Sequence, residues 1–103
     1  FMNMGNIQNL MREAQKMQKQ LEKTQKELES TSYEGNSELV SVVLNGDMSL
    51  KKIKINLDEQ FSTDDVEILE DMVLVAFNDA VKKLKEDKEK KLGKYGAGLS
   101  GLM

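Results

Sequence analysis

Apolar residues recur every seven positions through the opening stretch of the chain. Ile7, Ala14, Leu21 and Leu28 make one series, and Leu10, Met17 and Thr24 make the other. This is the a/d spacing of a helix with a packing seam over three heptads. At 100° per residue, Arg12, Lys16, Lys19, Lys23 and Lys26 gather within roughly an 80° arc on the opposite side. The spacing predicts one long helix from about Asn6, a possible cap, to Ser30–Thr31–Ser32, where the periodicity stops. Such a helix is marginal in water without a partner for its seam. Ala14 and Thr24 are weak seam residues, so this is not an ideal zipper, and Ile7–Met17 is expected to pack differently from Leu21–Leu28.

After this helix the period changes to two. Tyr33–Ser37 reads as a short strand in which Gly35 marks a bend or bulge. Leu39–Leu44 reads as a strand with Val40, Val42 and Leu44 on one face. Asn45–Gly46 is a strong hairpin signal. In the return strand, Leu50–Leu57, Ile53, Ile55 and Leu57 alternate with Lys52, Lys54 and Asn56, which predicts one buried and one wet face. Lys51, Lys52 and Lys54 also suit an exposed edge, where lysine discourages further pairing.

Ser62–Thr63–Asp64–Asp65 has the composition of a helix start, with a hydroxyl cap followed by acids at the positive helix end. The second helix is expected from about Asp64 to Leu92. Leu69, Val73, Ala76, Phe77, Ala80 and Leu84 cover one face, and Ile68, Met72 and Val75 cover another. A helix apolar on two sides has to be covered on two sides. In a chain of 103 residues, one cover is its own sheet and the other is a second chain, for which a two-fold homodimer is the default. The expected dimer contacts are Val40, Val42, Leu44, Ile68, Met72 and Val75. Asn78 and Asp79 are expected to hydrogen-bond at that seam. Residues 1–92 are thus expected to form a single domain of α+β class, and 93–103 a flexible glycine-rich tail.

The chemistry available to this chain is narrow. It has no cysteine and no histidine, which removes thiol chemistry, the usual general base and the usual metal ligands. Ser41, Ser62 and Ser100 lack a histidine to activate them. The acids at 58, 59, 64 and 65 lack calcium-loop spacing and suit helix capping instead. No enzyme, metal, cofactor or small-molecule substrate is expected. No stretch is apolar enough to span a membrane, and the opening residues carry no signal-peptide pattern.

Charge is distributed unevenly. The formal net charge is −3, yet eight acids and no base lie between Ile55 and Val81, and seven lysines against three acids lie between Lys82 and Lys94. A local field of this kind can steer a polyanion despite a negative total. The candidate phosphate-contacting residues are Arg12, Lys16, Lys19, Lys23 and Lys26, joined by Lys82, Lys83, Lys85 and Lys88. With one arginine and no stacking aromatic beside the stripe, shape-dependent or non-specific contact is favoured over base reading. The competing interpretation is a solvated helix back held by Glu22–Lys26 and Lys23–Glu27 pairs, with the later lysines complementing a helix C-terminus. A protein-interaction module using the long helix as an arm is the alternative function.

Specific segments narrow the choice. Residues 11–18 (MREAQKMQ), 40–46 (VSVVLNG), 53–56 (IKIN) and 69–80 (LEDMVLVAFNDA), in this order, resemble the YbaB/EbfC family of bacterial nucleoid-associated DNA-binding proteins. The likeness spans about Asn6 to Leu92. It departs from the family pattern at Glu38–Leu39, where members often carry glycine, and at Asn56–Leu57–Asp58, where many carry proline. The resemblance implies an α-β-β-β-α subunit with a small antiparallel sheet between two long helices. It further implies a tweezer-like homodimer in the cytoplasm and nucleoid that binds double-stranded DNA with weak sequence preference.

Overall fold

A computed structural model describes residues 4–95. Its elements are α1 (Met4–Ser30), β1 (Ser32–Asn36), β2 (Val40–Asn45), β3 (Leu50–Ile55) and α2 (Val66–Leu92), with short 3-10 turns at Thr63–Asp65 and Gly93–Tyr95. This is the expected α-β-β-β-α order. The three strands form one antiparallel sheet in the order β1-β2-β3. The expected flexible tail lies outside the described residues from 96 onward.

α1 is helical from Met4, so Asn6 sits inside the first turn rather than capping it. The helix closes on its hydroxyl residues. Thr31 Oγ1 donates to the Glu27 carbonyl at 2.6 Å, and Ser30 Oγ donates to the carbonyls of Lys26 and Glu27. These bonds satisfy acceptors that a helix end would otherwise leave open. The 3-10 turn Thr63–Asp65 that leads into α2 is capped by Ser62, one of the two hydroxyls expected there. Its hydroxyl accepts from Asp64 N–H while the Asp65 carboxylate accepts from Ser62 N–H, a reciprocal capping box.

The core forms where α2 lies across β1 and β2. Tyr33, Val40, Val42 and Leu44 from the sheet meet Ala76, Ala80 and Leu84 from the helix, with Leu69, Met72, Val73, Phe77 and Val81 around them. Two glycines let backbones touch. A Cβ on Gly35 would stand 2.0 Å from the Ala76 carbonyl oxygen, and one on Gly46 would stand 1.7 Å from that of Leu28. Gly35 therefore marks the close approach of α2, and it pairs in regular register with Val42 rather than forming a bulge. Gly46 seats the end of α1 on the hairpin, and its N–H donates to the Thr31 carbonyl at 3.0 Å.

The hairpin turns where Asn45–Gly46 indicated. The left-handed position, however, is Met48 at φ 71°, with Met48 N–H bonded to the Asn45 carbonyl and Asn45 N–H to the Ser49 carbonyl. A register shift follows, so that Leu44 pairs with Leu50 while Val43 pairs with Lys52, and Lys51 is the extra residue.

One expectation is not met within the single subunit, at β3. Its apolar series should have been buried, but every residue of β3 is exposed, with Ile53 at 47% and Ile55 at 42%. Ile53 and Ile55 pair with the buried Val42 and Val40, so they sit on the helix side of the sheet. A helix about 10 Å wide cannot also cover a third strand at ~4.8 Å spacing.

Candidate nucleic-acid interface

α1 stands away from this core. Its seam is exposed at Ile7, Leu10, Met11 and Met17, half-buried at Leu21 and Thr24, and buried at Leu28. The described chain measures 78 Å in its longest dimension, close to the sum of two 27-residue helices at 1.5 Å per residue. The two helices therefore extend away from each other around their meeting point, and most of α1 is an arm.

All five basic residues of the arm, Arg12, Lys16, Lys19, Lys23 and Lys26, are exposed. Together they form a stripe about 21 Å long. Among the described residues, the ion pairs within 4.0 Å are Lys83–Asp79 and Lys91–Asp87. The Glu22–Lys26 and Lys23–Glu27 pairs are thus not formed, and the charges of the stripe remain open to solvent. Glu13, Glu22, Glu27 and Glu29 share the helix and moderate its field.

The later lysines divide. Lys82 and Lys85 are exposed. Lys83 is instead part of the fold: its Nζ lies 3.2 Å from Asp79 Oδ2 and donates to the Glu34 carbonyl at 2.8 Å. Asp79 also accepts from Asn36 N–H at 3.0 Å, so it ties α2 to the end of β1 within one subunit. That N–H, followed by Lys83, holds the Asp79 carboxyl below its usual range. Lys88 is half-buried and lines a depression of about 370 Å³ with Gln25, Leu28, Glu29, Asp47 and Leu92. Here the base of the arm, the hairpin and the end of α2 meet, and Lys88 is the lysine of α2 brought beside α1.

A second polar tie crosses the same helix-sheet seam. The Tyr33 hydroxyl donates to Asp87 Oδ2 at 2.5 Å, and Lys91 Nζ reaches that oxygen at 2.9 Å. Burial first, then the bond to Asp87, pushes the Tyr33 phenol up to about 12. The same bond, with Lys91 behind it, lowers Asp87. Sequence reasoning did not anticipate this bond, because its partners lie 54 residues apart.

The expected dimer contacts also divide. Val40, Val42 and Leu44 lie inside the subunit under α2, closed to any partner, and Met72 is half-buried against the same core. Ile68 and Val75 are exposed, as is Leu74. Exposed apolar surface therefore lies on α2 and on the helix side of β3. No helix among the described residues is long and apolar enough to cross a membrane.

Comparison with known proteins adds an independent line. The sequence pattern of the YbaB/EbfC DNA-binding family matches residues 4–99. A nucleoid-associated protein of Clostridium botulinum is 46% identical over 94% of this chain and 87% of its own length. One from Lactococcus lactis subsp. cremoris is 43% identical over 93% and 98%. A third, from Enterococcus faecalis, is 37% identical over 95% of both chains. The crystal structure of an uncharacterised Helicobacter pylori protein shares the fold, with TM-score 0.61 at 24% identity over 93% of this chain and 100% of that one.

Proposed function

The chain belongs to the YbaB/EbfC DNA-binding family, and from that premise we propose that it is a nucleoid-associated protein whose homodimer holds double-stranded DNA along two basic arms. The observation that carries this reading is the exposed stripe from Arg12 to Lys26, its cations without ion pairs among the described residues, on a helix held away from the core. Cations arrayed along ~21 Å can follow several phosphates and release their counterions. Lys82 and Lys85 extend the positive surface and Lys88 stands beside the base of the arm, whereas Lys83 is tied to Asp79 and Glu34. One arginine and no neighbouring aromatic leave little with which to read bases, so the preference follows DNA shape more than sequence. The names of the relatives support a nucleoid location.

The homodimer is supported by what one subunit leaves uncovered. Ile53 and Ile55 of β3, with Ile68, Leu74 and Val75 of α2, are apolar and exposed. A two-fold axis sets the same surface against itself. Ile68 and Val75 remain in this interface from the expected set.

Fluorescence anisotropy with duplex DNA across a salt series tests the function. Wild type should bind, with a log–log slope that becomes shallower when Lys16, Lys19 and Lys23 are changed to glutamate. Absence of binding at low salt would overturn the DNA reading, and an unchanged slope would remove the stripe from it.

A second reading rests on Ile7, Leu10, Met11 and Met17, whose exposure suits an arm that grips a protein partner. Capture from lysate with and without nuclease separates the two, since partners retained through DNA are lost on digestion.

A further inference from the structure

We infer that Lys51, Lys52 and Lys54 of β3 form a second phosphate-contacting surface for DNA, distinct from the arm; the inference rests on the DNA-binding function proposed above.

The first reason is charge. From Leu50 to Leu57 there are three lysines and no acid. The arm carries Glu13 and Glu22 among its five cations, with Glu27 and Glu29 just beyond them, and α2 pairs two of its lysines with aspartates. Among the two long helices and the three strands, β3 is therefore the element whose positive charge has no counter-charge within itself. Edge protection explains a lysine on β3, since a charge discourages pairing with another sheet. It does not require the strand to be free of acids, because an inward or flanking glutamate protects an edge as well.

The second reason is placement. Lys52 pairs with Val43 and Lys54 with Ser41, so both project from the face of the sheet opposite α2, about 7 Å apart along the strand. Lys51 is exposed at the bulge beside them and shares the hairpin with Asp47, whose carboxylate feels its charge, so Lys52 and Lys54 are the less opposed pair. Glu34 shares that face in the row Glu34–Val43–Lys52, two strands and ~10 Å away. That separation is about a Debye length at 0.1 M salt, so Glu34 screens these lysines little. The opposite side of β3 carries the exposed Ile53 and Ile55, which keeps the lysine face clear of the apolar contact surface.

A surface of this kind contacts phosphates without reading bases, because it offers point charges and no planar or stacking group. The test compares wild type, K51Q/K52Q/K54Q, K16Q/K19Q/K23Q and the combined variant by anisotropy across a salt series, on two unrelated duplexes. The β3 variant should bind more weakly and with a slope shallower by about 1 to 3, equally on both duplexes. The combined variant should lose more slope than either set alone. If wild type binds and the β3 variant keeps its slope, the inference is overturned while the DNA function stands. Association of the β3 variant beyond the wild-type assembly, with an unchanged slope, would likewise overturn it in favour of edge protection. If wild type does not bind, both fall. Circular dichroism and sedimentation establish that the variant is folded and assembled. Should the triple variant fail that check, K52Q and K54Q singly carry the same test, each expected to reduce the slope by about 1.

Discussion

Gly35 of β1 and Ala76 of α2 approach so closely that a Cβ on the glycine would stand 2.0 Å from the alanine carbonyl oxygen, and 2.4 Å from the Ala80 nitrogen. The obstacle is helix backbone, which cannot swing aside as a side chain would. G35A is therefore expected to push α2 off the sheet, with a cost at or above the ~1–3 kcal/mol typical of overpacked cores. Urea denaturation should show a lowered midpoint, and an unchanged midpoint would contradict the contact.

Tyr33 and Asp87 give the subunit a pH signature on both limbs. The Asp87 carboxyl is depressed in the fold, so its contribution is present above the ordinary carboxylate range and is lost as pH falls through its folded value. Y33F should cost about 1.5–3 kcal/mol at neutral pH, as for a hydrogen bond to a charged group, and the gap to wild type should close on acidification. Tyr33 is raised from 10.0 to about 12, so its contribution is full below pH 10 and is lost as pH climbs toward 12. An ultraviolet titration should find one late phenol, absent in Y33F.

Met48 occupies a left-handed backbone position at φ 71°, where a side chain is disfavoured. M48G should relieve that strain and stabilise the hairpin by about 1 kcal/mol. The gain is partly offset by the greater freedom of glycine in the unfolded chain. Thermal denaturation read as a higher Tm would agree, and a loss of stability would show that the Met48 side chain holds something the backbone alone does not.

Lys82 and Lys83 are neighbours with different work. K83Q removes the link to Asp79 and Glu34 and should lower stability, with little change in the salt dependence of DNA binding. K82Q should leave stability alone and make the salt slope shallower by about 1. The reverse pattern would show that Lys83 leaves its partners to meet phosphate.

Ile53 and Ile55 lie outside the core of one subunit, so I53K/I55K should leave the circular dichroism spectrum unchanged. Sedimentation should show the proposed dimer weakened or lost. A variant that stays dimeric would place the contact on α2 alone.

Local regularities made much of this subunit legible from its residues. Periods of seven and of two set the helices and strands in order, Asn45–Gly46 located the hairpin, and Ser62 with Asp65 set the start of α2. The stripe from Arg12 to Lys26 was equally readable, because helical geometry alone puts five cations on one side. These signals depend only on neighbours along the chain. What a face meets depends on the reach of other elements, and periodicity carries no record of that. Ile53 and Val42 are both apolar on the same face of one sheet, yet only Val42 lies under α2, since one helix spans two strands and not three. Lys82 and Lys83 are indistinguishable in composition, yet only Lys83 points at the end of β1. Gly35 and Gly46 read as turn or bulge formers, and only the packed structure makes them the points where backbone meets backbone.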